Sequence, residues 1–331
     1  MSTQFYYGHG KLLLTGEYVV LDGAKALAVP CKQGQKLSIS HRPSNNPKLI
    51  WNSYDSDNNN WFSAEFELWH FNILKGEGEI ATALQSILKQ ARAQNIHFLR
   101  EESDVHVTTN LEFPVSWGLG SSSTLIYNIA QWAYVSPFEL LQKTFGGSGY
   151  DICCAQSMGP ITYQLKSRGP AWELITFDPS FKDQLYFVHL NKKQNSQKEV
   201  SNYKEVEVSN KDYIVKKISL LTQQIIDCTE LASFEELIKE HEDIISKVIN
   251  RETVKKQLFS DYWGEVKSLG AWGGDFVLVT SNKSVEETQK YFNEKGFETF
   301  YAYDDLVLKS PTYKVEMPSI KVSENVVEQS I

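Results

Sequence analysis

Short apolar runs separated by glycine open the chain: KLLLTG, EYVVLDG and ALAVP, then KLSIS and the aromatic-rich LIWNSYD and WFSAEFELW. Runs of this length, bounded by turn residues, predict strands of a mostly antiparallel sheet. The texture changes at Glu77. From there to Ala93 the apolar positions Ile80, Leu84, Ile87, Leu88 and Ala91 recur at helical spacing, which predicts a helix packed by one face. VHVTTN reads as a further strand. Ser121 to Ala133 reads as a helix apolar over more than half its circumference, and therefore buried.

Beyond Pro160, ITYQL and LYFVHL read as strands, and Tyr213 to Cys228 and Phe234 to Arg251 as amphipathic helices. The strand FVLVTS, a helix from Val285 to Glu294 and the strand ETFYAY suggest a ferredoxin-like α+β unit at the C-terminus. Only the tail after about Pro311 reads as loosely held.

At 331 residues, 41% hydrophobic and 22% charged, the chain suits one large two-lobed unit or two tightly packed domains. The net charge of −8 is spread along the chain, which argues against coating a polyanion, so no nucleic-acid partner is expected. Cys31, Cys153, Cys154 and Cys228 have neither the count nor the spacing of a disulfide framework or a zinc site. A reducing compartment fits best, with Cys153 and Cys154 packed as small apolar residues. No apolar run approaches the roughly eighteen residues of a membrane span, and no leader pattern precedes KLLLTG. A cytoplasmic protein, monomeric or homodimeric, is the expectation.

Candidate chemistry sits in the glycine clusters. Gly118-Leu119-Gly120-Ser121-Ser122-Ser123 leads into the helix that begins at Ser121. A helix N-terminus leaves about four N–H groups unpaired and carries roughly half a positive charge, so it attracts an anion that glycines allow close. Serine hydroxyls there can cap the helix, bond a phosphate or ligate Mg²⁺. A plain glycine turn with a serine cap is the alternative, and no Gly-Lys-Ser/Thr makes it a Walker A loop. In Gly146-Gly147-Ser148-Gly149-Tyr150-Asp151, the aspartate taken alone reads as a helix-capping acid in the first turn after a glycine cluster. Lys11, in an apolar strand, is a snorkelling lysine or a partner for phosphate or carboxylate.

Taken in order, GKLLLTGEYVVLDGAKALAVP, PVSWGLGSSS and GAWGGDF resemble the three motifs of the GHMP kinases, most closely those of the mevalonate kinase and phosphomevalonate kinase group. The likeness runs from about residue 8 to residue 305, and Pro-x-x-x-Gly-Leu-Gly-Ser-Ser is its most specific part. It implies an α+β, two-lobed fold: an N-terminal ribosomal-protein-S5-like nucleotide-binding lobe, residues 1–175, and a C-terminal ferredoxin-like lobe, residues 176–331. It implies an ATP- and Mg²⁺-dependent transfer of a phosphoryl group to a small molecule, mevalonate or phosphomevalonate. Alternatives within the resemblance are an inactive nucleotide- or metabolite-binding regulator and a diphosphomevalonate-decarboxylase-like enzyme.

Carried onto matching positions, the resemblance gives Pro114, Gly118, Leu119, Gly120, Ser121, Ser122 and Ser123 to ATP, with Ser122 on the metal. Asp151 becomes the general base or electrostatic partner, and Lys11 the cation that holds Asp151 and the acceptor oxygen. Gly16, Glu17, Gly149, Tyr150, Gly270, Gly273 and Gly274 shape the acceptor site. Glu139 is the one glutamate in the interval where mevalonate kinases carry a metal ligand, and reads equally as a helix N-terminal acid. Basic residues for an acidic acceptor could come from Lys25, Lys166 and Arg168. Trp272 interrupts what is usually a glycine run, leaving open how closely that loop approaches the phosphates.

Overall fold

A computed structural model of the chain describes residues 3–100, 102–206 and 209–310. The tail expected to be loosely held lies outside the described residues. The first part of the chain runs β1 Gln4–Leu13, β2 Ala26–Pro43, β3 Lys48–Tyr54, β4 Asn60–Glu67, β5 Ile73–Lys75, α1 Glu79–Gln94, β6 Ser103–Leu111, α2 Ser121–Ala133, α3 Pro137–Thr144, α4 Tyr150–Gln156, β7 Ile161–Lys166 and β8 Gly169–Leu174. Its strands form a sheet in the order β5-β4-β3-β6-β2-β7-β8, with β1 also paired to β2. Every pairing is antiparallel except β3 with β6.

Alternation sets the faces of this sheet. In β6 the side chains of Val105, Val107, Thr109 and Leu111 point inward while their neighbours are partly exposed. Leu84, Ile87, Leu88 and Ala91 of α1 and Ile126, Ile129 and Ala130 of α2 close over Trp51, Phe66, Val105 and Val107. Ile80 is half exposed, and Ala81 takes its place in the buried stripe, one residue further round the helix. EYVVLDG is no strand. Gly16 and Gly23 take positive φ on either side, and Val19–Asp22 winds into a 3₁₀ turn whose valines are buried.

The second part runs β9 Leu185–His189, α5 Ser196–Lys204, α6 Lys211–Asp227, α7 Leu231–Ile249, α8 Val254–Leu258, β10 Val266–Ser268, β11 Phe276–Thr280, α9 Val285–Glu294, β12 Phe300–Ala302 and α10 Tyr303–Leu306. Its sheet is wholly antiparallel in the order β10-β11-β9-β12, the ferredoxin-like βαββαβ arrangement. Leu12, Leu27 and Val29 of the first sheet share one core with Phe187, Phe276 and Leu278 of the second. The two sheets are thus packed as one body. No helix among the described residues is long and apolar enough to cross a membrane.

Candidate active site

Lys11 lies where the ladder between β1 and β2 is irregular: His9 faces Gly34, but Lys11 faces Pro30. A bulge of this kind re-aims a side chain. The Lys11 backbone N–H donates to the Leu119 carbonyl at 2.9 Å, and its Nζ donates to the Gly118 carbonyl at 2.7 Å. One lysine therefore holds two successive carbonyls of the glycine loop.

The loop itself is built around one apolar anchor. Leu119 is fully buried between the sheets, while Gly118 and Gly120 on either side adopt φ of 67° and 92°. Pro114 opens the 3₁₀ turn that precedes it, and Trp117 packs edge-on against Phe276 of β11 with ring centroids 5.6 Å apart. A Cβ on Gly118 would sit 2.2 Å from the Asp275 carboxyl carbon, and one on Gly120 would sit 2.7 Å from Ser123 Oγ. Only glycine fits both places.

After Gly120 the chain enters α2 with no side-chain cap. Ser123 is buried and turns its hydroxyl back onto the Gly120 carbonyl at 2.8 Å. The Ser121 carbonyl accepts from the Thr124 hydroxyl, and the Ser121 hydroxyl makes no hydrogen bond among the described residues. The Ser122 hydroxyl is exposed and makes no hydrogen bond among the described residues. What remains among the described residues is a helix start without a side-chain cap and an unbonded Ser122 hydroxyl, an arrangement whose partial positive charge suits an anion.

Asp151 stands in the first turn of α4, behind Gly146, Gly147 and Gly149, all at positive φ. Its carboxylate accepts from the Ile152 N–H at 3.0 Å. Burial pushes its carboxyl up, and Lys11 pulls it back down. Burial also works against the Lys11 charge, but Tyr150, Asp275 and Asp151 outweigh it and raise the ammonium to about 12. Lys11 stays a cation at any physiological pH. Its Nζ lies 5.9 Å from the Tyr150 ring centroid. Among the described residues Lys11 forms no ion pair, so it acts on Asp151 through its field while its Nζ donates to the Gly118 carbonyl.

The third glycine segment closes the group from the other sheet. Gly270 and Gly273 take positive φ, and a Cβ on Gly274 would sit 2.4 Å from the Lys192 carbonyl oxygen. Trp272 is turned out of the cleft, 2% exposed, into a cluster with Tyr18, Tyr203, Ile218 and Leu221. The residue that breaks the glycine run is a peg for the loop. The loop ends at Asp275, a buried non-glycine residue at φ 51° whose backbone is tied to Lys192 and whose carboxylate accepts from the Gln194 N–H at 3.1 Å. Burial pushes its carboxyl up too, against the pull of Lys11.

Asp275 is the acid that sequence reasoning passed over, although it follows a glycine cluster just as Asp151 does. Other candidates are engaged elsewhere. Glu17 is fully buried against Lys267, and the Gly16 N–H donates to His241 Nε2 at 2.9 Å, so neither faces the Lys11 group. Glu139 lies exposed in the first turn of α3, where it pairs with Lys143 at 2.5 Å; it is a helix acid. Lys25 bonds Gln223 of α6, and Lys166 and Arg168 sit exposed at the β7–β8 turn.

No family model matches the sequence, and no curated protein does either. Solved structures do. The mevalonate kinase of Methanococcus jannaschii superposes with a TM-score of 0.67 at 17% identity, over 94% of this chain and 99% of that one. The phosphomevalonate kinase of Streptococcus pneumoniae, in complex with phosphomevalonate and AMPPNP, gives 0.62 at 15% over 90% and 99%. The galactokinase of Lactococcus lactis, complexed with galactose, gives 0.64 at 13% over 93% and 94%. The fold is that of the GHMP kinases. In this chain the three sequence motifs fall on the β1 strand with its following turn, the loop before α2, and the loop before β11. Lys11, Gly118 and Asp275 are the points at which the three touch.

Proposed function

We propose that this chain is an ATP-dependent kinase that transfers the γ-phosphoryl group to the hydroxyl or phosphate oxygen of a small acidic molecule, with mevalonate or phosphomevalonate as the acceptor. The observation that carries the reading is the uncapped start of α2, held by Lys11 next to Asp151. Phosphoryl transfer asks a protein mainly to position reactants and to neutralise the charge on the moving group. Free N–H groups at Ser121 to Ser123 would take the ATP phosphates, and Lys11 would add a fixed positive charge beside them. A magnesium ion, when bound with the nucleotide, supplies further neutralisation of the phosphates, and the free Ser122 hydroxyl is the group on this chain that suits it.

Asp151 would take the proton of the acceptor hydroxyl, a contribution of about 10²–10⁴-fold for a well-placed base. Burial makes its charged form costly and Lys11 offsets only part of that cost, so the carboxylate would hold a proton more readily than a solvated one. The mevalonate-type acceptor follows from the motif likeness, supported by the mevalonate and phosphomevalonate kinases among the similar structures. Galactokinase has the same fold, so the acceptor is the point to test. The experiment is a coupled ADP-release assay with MgATP and mevalonate, phosphomevalonate or galactose supplied separately. Release with mevalonate or phosphomevalonate alone is expected. Release with galactose alone, or with none while AMPPNP still binds, would overturn the acceptor.

A further inference from the structure

Residues 16–18 and 267–275 are joined at two places away from the Lys11 group. The Glu17 carboxylate receives Lys267 Nζ in the core, where the two side chains are 0% and 1% exposed. The Trp272 backbone N–H donates to Tyr18 Oη at 3.1 Å, also buried. Neighbouring bonds fix both partners. Lys267 Nζ also donates to the Ser268 carbonyl, and Glu242 of α7 accepts from both the N–H and the hydroxyl of Ser268. Tyr18 Oη lies 3.4 Å from Glu199 of α5, which Arg251 holds at 2.7 Å.

A buried ion pair contributes little net stability compared with apolar residues of the same volume, so its presence here is better accounted for by the register it imposes. The backbone points the same way. Tyr18 at φ 61° and Asp275 at φ 51° are non-glycine residues in the left-handed region, a conformation that persists only where the surroundings dictate it. One lies at the start of this double tie and the other at its far end.

We propose that Glu17 and Tyr18 are positioning residues for the third glycine loop, fixing residues 269–275 so that Asp275 stays against Gly118 and within the field of Lys11. This rests on the kinase reading for its consequence but not for its geometry. It also explains why a glutamate in the first motif is sealed in the core with no access to an acceptor. Loss of the tyrosine hydroxyl leaves the Trp272 N–H buried without a partner, which the loop can relieve only by moving or by admitting water.

The test compares wild type with Tyr18→Phe and Glu17→Gln by amide hydrogen exchange of the 266–276 segment and by steady-state kinetics. Exchange over 269–275 is expected to rise at least fivefold in both variants, with that of α2 unchanged. In Tyr18→Phe, kcat should fall about tenfold with the KM for ATP within twofold, and in an Asp275→Asn background the same change should cost less than twofold. A merely structural tyrosine would lower the melting temperature without this coupling. Unchanged exchange, or an equal loss of kcat in both backgrounds, would overturn the proposal. If wild type transfers phosphate to none of the acceptors and does not bind AMPPNP, the kinase reading fails, and the exchange measurement alone still decides whether the loop is held as stated.

Discussion

Asp151 and Asp275 share one cation but stand in different surroundings. Asp151 is partly exposed at a helix start and accepts from the N–H of the next residue, whereas Asp275 is buried and accepts from the backbone of Gln194. If Asp151 is the base proposed above, its exposure lets it reach an acceptor proton, while Asp275 is fixed. Asp151→Asn is therefore expected to lower kcat by 10² or more while the KM for ATP stays nearly level; turnover within about tenfold of wild type would remove it as the base. Gly118→Ala makes the complementary point in stability. Its Cβ would meet the Asp275 carboxylate at 2.2–2.6 Å in a left-handed backbone, so a loss of about 2 kcal/mol in urea unfolding is expected. Adding Asp275→Ala should recover part of it, since the clash goes and the strain stays. At this scale the sequence singles out Lys11, Ser122 and Asp151 by residue type and neighbours, and the structure sets Lys11 against the glycine loop with Asp151 in its field. Glu17 was misplaced because its partner, Lys267, lies in a distant strand and no local pattern announces the pair.

Helices of strong periodicity were legible almost to the residue, as α2 shows at Ser121–Ala133, because burial of one face dictates the pattern. Where burial is slight the signal disappears. In α5 only Tyr203 is buried, and nothing but the Asn195 cap on the Lys198 N–H marks the helix. The Val19–Asp22 turn fails for the opposite reason: its valines are buried like those of a strand, while two glycines bend the backbone away from one. The start of α2 offers a test in which stability and function diverge. Ser122→Asp places a carboxylate on an uncapped helix N-terminus, worth about 0.3–1 kcal/mol to the fold. The same charge would compete with phosphate, so the melting temperature should rise while the KM for ATP increases at least tenfold. A higher melting temperature with unchanged ATP affinity would place the nucleotide elsewhere.

Across the molecule, the joint between the two sheets carries an unusual charge count: Lys267 as one cation, Glu17 and Glu242 as two acids, and His241. Burial and Lys267 hold His241 well below its usual range, and its Nε2 accepts from the Gly16 N–H, so it is neutral. Its 3.5 Å approach to Glu17 is thus no ion pair. Burial pushes Glu242 up to about 7, with Lys267 opposing. A carboxyl raised in the folded state stabilises while it is protonated, so this contribution is present below about pH 4.5 and is lost as pH rises through about 7. Glu242→Gln, which cannot ionise, should gain on wild type between pH 5 and pH 8 by an amount on the order of 2–3 kcal/mol. Parallel urea-unfolding stabilities at the two pH values would refute this ionisation. The two-sheet layout was legible in the order of strands and helices. The joint between them was not, because it depends on residues that meet only after both sheets exist.

That joint has a consequence for how the chain is made. Glu17 waits for a lysine 250 residues further on, and Leu12, Leu27 and Val29 wait for Phe276 and Leu278 to cover them. At ribosomal rates of about 5–20 residues per second, the first motif emerges on the order of 10–50 s before its partners do. During synthesis the half that opens the chain must keep an uncovered apolar face and an unpaired acid in water, exposed to every other nascent chain nearby, until almost the last strand has been added.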